Sequence, residues 1–138
     1  MGKGDHVRSV LAAAVVAGLY FVNVGEVTAA GSLDRSLMKL DPVERAHQAC
    51  VIKGLETVRR SDKRLAKADR IMPDTFKRAV LDGSIVTAVG AAVHANKRWY
   101  AMSFECTVSD NQMKAVAFSF KLGDEIPADT WESIGLWR

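Results

Sequence analysis

The sequence predicts an α+β domain, a three-stranded antiparallel β-meander with an N-terminal helix tethered to it by a disulfide and short additional helices beside it. Three observations predict it. Apolar residues recur at helical spacing after a strong cap at Asp41. The period changes to strict alternation after Gly83. Two cysteines, Cys50 and Cys106, fall on the apolar side of one helix and one strand, where a helix would pack on a sheet. An even cysteine count behind an export signal suggests that they are bonded to each other.

The first 30 residues read as that signal. A basic start (Lys3, Arg8) leads into the apolar run Val10–Val24 and then into small residues at Val27-Thr28-Ala29-Ala30. Cleavage near Ala30 is the expectation. The alternative is an uncleaved anchor, because the uncharged stretch Ser9–Gly25 is at the lower edge of what spans a bilayer. No second apolar run of that length follows, so no membrane span is expected after cleavage. The localisation expected is periplasmic or secreted, by Gram-negative bacterial export. Residues 31–40, small and polar, read as a tether, and 41–138 as a single domain. Lys and Arg number 19 against 16 Asp and Glu, and the signal takes two of each sign, so the excess of +3 is unchanged by its removal. So small a core gains from a covalent staple.

The first helix starts at Asp41-Pro42-Val43-Glu44, with Asp41 as cap, Pro42 at the first helical position and Glu44 three residues after the cap. Val43, Ala46 or His47, Cys50, Val51, Gly54, Leu55 and Val58 form its apolar face, and Arg59-Arg60 suit its negative end. A polar connection with a brief apolar touch at Ile71-Met72 follows, and Pro73 precedes a short helix, Asp74–Leu81, with Phe76, Ala79 and Val80 inward. Strands are expected at Ser84–Ala95, Arg98–Val108 and Gln112–Leu122, with short connections that make antiparallel hairpins. Tyr100, Met102, Phe104, Cys106 and Val108 share the core face of the middle strand, opposite Val116, Phe118, Phe120 and Leu122 of the third. A turn at 123–127 and a last short helix, Ala128–Ile134, close the chain.

Chemistry-bearing patterns are sparse. His47 and His94 stand without H-x-x-x-H or C-x-x-C spacing, so they read as a packed and a solvated histidine, and no metal or cofactor is expected. No G-x-S-x-G motif places a serine beside a base, and no glycine-rich phosphate loop is present, so no catalytic residue is named and the chain leans away from an enzyme. Two binding candidates remain. The segment 59–70 carries Arg59, Arg60, Lys63, Arg64, Lys67 and Arg70 against Asp62 and Asp69, and offers an anion-binding surface or simply a solvated loop. In an exported protein the partner would be an anionic envelope component or a protein, not nucleic acid. Arg98, Trp99 and Trp131 offer an aromatic surface or, as the plainer alternative, a second small core.

The mature chain resembles a bacterial family described only as domain of unknown function number 930. The resemblance rests on Leu40-Asp41-Pro42 with Arg45, Gln48 and Cys50, and on Arg98-Trp99-Tyr100 with Ser103-Phe104 and Cys106. It continues through Met113-Lys114, Phe118, Gly123, Ile126-Pro127, Trp131 and Leu136-Trp137, spanning nearly all of 37–138. It implies a small exported or envelope-associated protein of Gram-negative bacteria, and it supplies no catalytic residues. The chain departs from the family in its Lys/Arg-rich 59–70. The function expected is a small binding domain of the cell envelope. The alternatives are a small hydrolase or transferase acting on an envelope polymer, or an inhibitor of an exported enzyme.

Overall fold

The computed structural model describes Gly18 and residues 25–138. The basic start and most of the apolar run of the expected signal lie outside the described residues. Helix α1 (Gly25–Met38) passes through the expected cleavage point, and helix α2 (Pro42–Ser61) follows it. Five strands, β1 (Ala68–Met72), β2 (Val80–Asp82), β3 (Ile85–Ala95), β4 (Arg98–Val108) and β5 (Ala115–Glu125), form one antiparallel sheet in the order β1-β3-β4-β5, with β2 also paired to β3. The fold is α+β, but the sheet has five strands where three were expected. Among the described residues, no helix is long and apolar enough to cross a membrane.

Helix α2 forms where its cap and period require. The Asp41 carboxylate accepts from the backbone N–H groups of Val43 (3.0 Å) and Glu44 (3.1 Å). Ala46, Ala49, Cys50, Gly54 and Val58 are buried on its inner side, whereas Val43 is exposed. Arg45 joins three segments at the start of this helix. Its guanidinium donates to the carbonyls of Leu37 (3.1 Å), Leu40 (2.9 Å) and Asn111 (3.0 Å). That fixes the end of α1 and the β4–β5 loop to α2. The tether expected at 31–40 is therefore corrected: through Met38 it is helical, and Leu37 is buried because α2 gives it a groove beside Ala49 and Ile52.

The main core lies between α2 and one sheet face. Tyr100, Met102, Phe104, Cys106 and Val108 of β4 all enter it, with Val86, Ala88, Ala91, Val93 and Ala95 of β3. A bulge between Ala88 and Ala91 shifts the alternation of β3 by one residue, so both halves of the strand face the same core. The Cys50–Cys106 disulfide crosses this core, its Cα atoms 6.0 Å apart. At Gly54 the helix meets the sheet, and an added Cβ would lie 2.8 Å from the Phe118 ring.

Other expectations need correction. The short helix at 74–81 is absent. The Asp74 carboxylate takes the Ala79 N–H (2.6 Å), Phe76 N–H goes to the Gly90 carbonyl (2.8 Å), and Val80–Asp82 pairs with Ile85–Thr87 through a turn at Gly83. Phe76 and Val80 are exposed, not inward, and of the three residues expected inward Ala79 alone is buried. In β5 a register shift opposite Thr107/Val108 puts Ala115 against the core and turns Val116 outward, 65% exposed. β5 also continues through Gly123 to Glu125, where a turn was expected. The terminal helix is two 3₁₀ turns, Ala128–Thr130 and Glu132–Ile134.

On the opposite sheet face, near the β3–β4 turn, lies a second, smaller core of Ala92, Trp99, Ile126, Trp131 and Leu136. Both of its indoles are anchored. Trp99 Nε1–H donates to the Trp137 carbonyl (2.8 Å) and Trp131 Nε1–H to the Ile126 carbonyl (2.9 Å).

Candidate functional site

Both candidate surfaces converge on the end of the molecule that carries the β3–β4 turn, Asn96-Lys97. Both of these residues have positive φ (51° and 65°), the pattern of a type I′ turn. The C-terminal end of α2, a 3₁₀ turn at Lys63–Leu65 and the start of β1 flank it on one side. The C-terminal segment flanks it on the other.

The six cations of 59–70 do not act as one surface. Arg59 folds back to donate to the Ala68 carbonyl (2.6 Å), and Arg60 pairs with Glu56 along the helix. Arg70 turns to the other sheet face. Lys63, Arg64 and Lys67 remain, and they line one cleft of about 380 Å³ together with Ala66, Asn96, Arg98 and Tyr100. Asp62 anchors this cleft. It caps the 3₁₀ turn through the Arg64 N–H (2.9 Å) and holds the Arg64 guanidinium at 2.8 Å. These hydrogen bonds from Arg64 keep the Asp62 carboxyl below its ordinary range. Arg98 reaches Glu125 loosely, at 3.7 Å. Among the described residues, no ion pair engages Lys63 or Lys67. Sequence reasoning missed Arg98 and Asn96 as members of this group, because they come from a hairpin 30 or so positions along the chain.

The aromatic surface expected at Arg98, Trp99 and Trp131 is not a surface. Trp99 is completely buried and Trp131 is 9% exposed, because the 3₁₀ turns close over the sheet there. The exposed indole of this region is Trp137. Between Trp99 and Trp137 lies the Arg70 guanidinium, 5.4 and 5.1 Å from the two rings.

His94, expected to be solvated, is buried at 7% exposure against Trp99, with ring centroids 5.0 Å apart. Its Nδ1 lies 2.6 Å from Asp69 Oδ1. An ionised carboxylate only accepts, so Nδ1–H donates to it, and Arg70 Nη2 lies against the same ring, 3.0 Å from Nδ1 and 3.3 Å from Nε2. Burial pushes the Asp69 carboxyl up, but the His94 hydrogen bond and the charges of His94 and Arg70 outweigh it and hold the group below its ordinary 3.8. His94 also lines a recess of about 500 Å³ with Lys97, Ala128, Trp131 and Arg138. No spacing motif links Asp69 to His94, so sequence gave no signal for the pair. His47 is buried on α2 as expected. Among the described residues, no cluster of three or more His, Cys, Asp or Glu could hold a metal ion.

A family model described as Domain of Unknown Function (DUF930) matches residues 37–136. No curated protein and no solved structure matches the chain.

Proposed function

The chain belongs to the DUF930 family, and from that premise we propose that it is an exported, disulfide-stapled binding domain whose cationic end engages phosphate-bearing headgroups of the bacterial cell envelope. The observation that carries the reading is the convergence of Lys63, Arg64, Lys67 and Arg98 on one cleft beside Tyr100. Cations outnumber the acids at this cleft, Asp62 on Arg64 and Glu125 near Arg98, so it concentrates counter-ions, and phosphate groups are the abundant anions of an envelope. Export is supported by the basic start and apolar run of residues 1–30 and by a buried disulfide, which persists in oxidising compartments.

A second reading, a small hydrolase or transferase, draws on the Asp69–His94 pair beside a recess. It is less well supported. The group that lies against the His94 ring is the Arg70 guanidinium, 3.0 Å from Nδ1 and 3.3 Å from Nε2, and not a nucleophile. Among the described residues, no serine, cysteine or side-chain carboxylate lines the recess either.

The test is co-sedimentation of the purified, oxidised protein with phosphatidylglycerol vesicles, with lipopolysaccharide and with neutral phosphatidylcholine vesicles. Binding to the anionic probes is expected, weakening steeply as salt rises past physiological strength, where the screening length is about 8 Å. Reversing Lys63, Lys67 and Arg98 to Glu abolishes it while the fold is retained, because exposed charges contribute little to stability. Salt-insensitive binding, or binding that survives the triple reversal, refutes this function.

A further inference from the structure

On the far side of the Asn96-Lys97 turn from that cationic cleft, the recess lined by His94, Lys97, Ala128, Trp131 and Arg138 has a composition of its own. Its volume of about 500 Å³ is in the range of small-molecule sites. One part of its wall is apolar, Ala128 and the Trp131 indole, and that indole is fixed because its N–H is already committed to Ile126. The other part is cationic, Lys97 and Arg138. His94 also lines the recess, held by Asp69 at Nδ1 and by the Arg70 guanidinium against its ring. A pocket that is apolar on one side and doubly cationic on the other is complementary to an amphipathic anion.

The hairpin turn fixes where Lys97 stands. Lys97 occupies a positive-φ position (65°) of the two-residue turn, where glycine is the less strained residue, and it lines the recess.

We propose that this recess is a second binding site, for a small organic oxyanion whose apolar body lies on Trp131 and whose charged group is held between Lys97 and Arg138. The site is separate from the cationic cleft and does not depend on it. Among the described residues, the side-chain carboxylate in contact with His94 is that of Asp69. Its charge is met by the His94 N–H and by Arg70 Nε at 3.5 Å, so it does not cancel the field of Lys97 and Arg138.

The experiment uses the full mature protein with its disulfide intact. 1-Naphthoate, 1-naphthyl phosphate and the neutral 1-naphthalenemethanol are titrated by calorimetry and by NMR of the indole N–H signals. The expected result is saturable binding of at least one anion with a shift of the Trp131 indole signal, and much weaker binding of the alcohol. Comparing the two anions tells a carboxylate ligand from a phosphate monoester. Lys97→Gly and Arg138→Gln should each weaken binding by about tenfold or more, the scale of one charge-assisted contact. Because glycine suits the turn, a loss in Lys97→Gly cannot be assigned to misfolding. The Lys63, Lys67 and Arg98 reversal should leave naphthoate binding in place, which separates this site from the envelope-binding cleft. The proposal is overturned by no Trp131 shift with either anion, by equal binding of the alcohol, by unchanged affinity in both single variants, or by loss of binding in the triple reversal.

Discussion

Asp69 and His94 are joined across two strands by a 2.6 Å carboxylate–imidazole contact that exists because Asp69 is the extra residue of a β-bulge. In the β1–β3 ladder Ala68 lies opposite Ala95 and Arg70 opposite His94, and Asp69 between them has no partner. A bulge re-aims the side chain it carries. Here it brings Asp69 to Nδ1 of His94, with Arg70 Nη2 against the same ring.

The pairing has a pH signature. The folded-state value of Asp69 is lowered, so its contribution to stability is present above the ordinary 3.8 and lost as pH falls through the lowered value. The side chain is 55% exposed, so the contribution is small, below about 1 kcal/mol. Asp69→Asn should therefore reduce the acid slope of the melting temperature without changing the fold. Asp62, lowered in the same direction by Arg64, should account for part of the slope that remains. Melting curves of the parent, Asp69→Asn and Asp62→Asn across the acid range check this. An unaltered slope in Asp69→Asn would show that the contact does not persist in solution.

The disulfide closes a loop of 56 positions between a helix and a central strand. By the chain-entropy argument such a crosslink contributes about 4 kcal/mol. Cys50→Ser should cost that order of stability, with an added penalty for a hydroxyl in a fully buried site. Non-reducing peptide mapping should return one crosslinked pair, and denaturant unfolding with and without reductant should give the difference directly. Two free thiols in protein prepared under oxidising conditions would contradict the structure.

How far the sequence could be read follows from how local each signal is. The cap at Asp41, the face carrying Cys50 and the alternation of β4 are short-range patterns, and each has its counterpart in the fold. β1 and β2 were not legible. β1 has five residues, two of them charged, and its bulge breaks the alternation. β2 has only three residues. The segment 74–79 carries helix-compatible residues, but its backbone groups are spent on Asp74 and Gly90. The basic segment was visible as composition. Which of its cations share a cleft depends on Glu56, Ala68 and the hairpin turn, none of which spacing reveals.

Gly90 marks where the segment after Pro73 crosses the sheet. Its carbonyl accepts the Phe76 N–H, and a Cβ there would come within 2.4 Å of the Lys77 backbone nitrogen. Backbone cannot swing aside as a side-chain tip can. Gly90→Ala should therefore destabilise the domain by roughly 1–3 kcal/mol, the usual cost of overpacking. Denaturant titration measures it, and hydrogen exchange should show the loss at Phe76 N–H first. A neutral substitution would mean that the crossing segment detaches at little cost.

Lys97→Gly makes the opposite prediction. Asn96 and Lys97 both adopt positive φ at the centre of the hairpin turn, and Asn-Gly is the pairing that this turn favours most. Replacing lysine with glycine relieves the strain of a left-handed Cβ, although it also adds freedom to the unfolded chain. Lys97 is exposed and, among the described residues, takes part in no ion pair, so its removal costs little packing. The net effect should be stabilising by about 0.5–1 kcal/mol, read as a higher denaturant midpoint at unchanged slope. Lys97→Ala, which keeps a Cβ at the same φ, should show no such gain. If both variants behave alike, the turn is not strained at Lys97. If Lys97→Gly is more stable yet loses the naphthoate anion, stability and binding are opposed at this residue, as expected where a strained position is kept for its side chain.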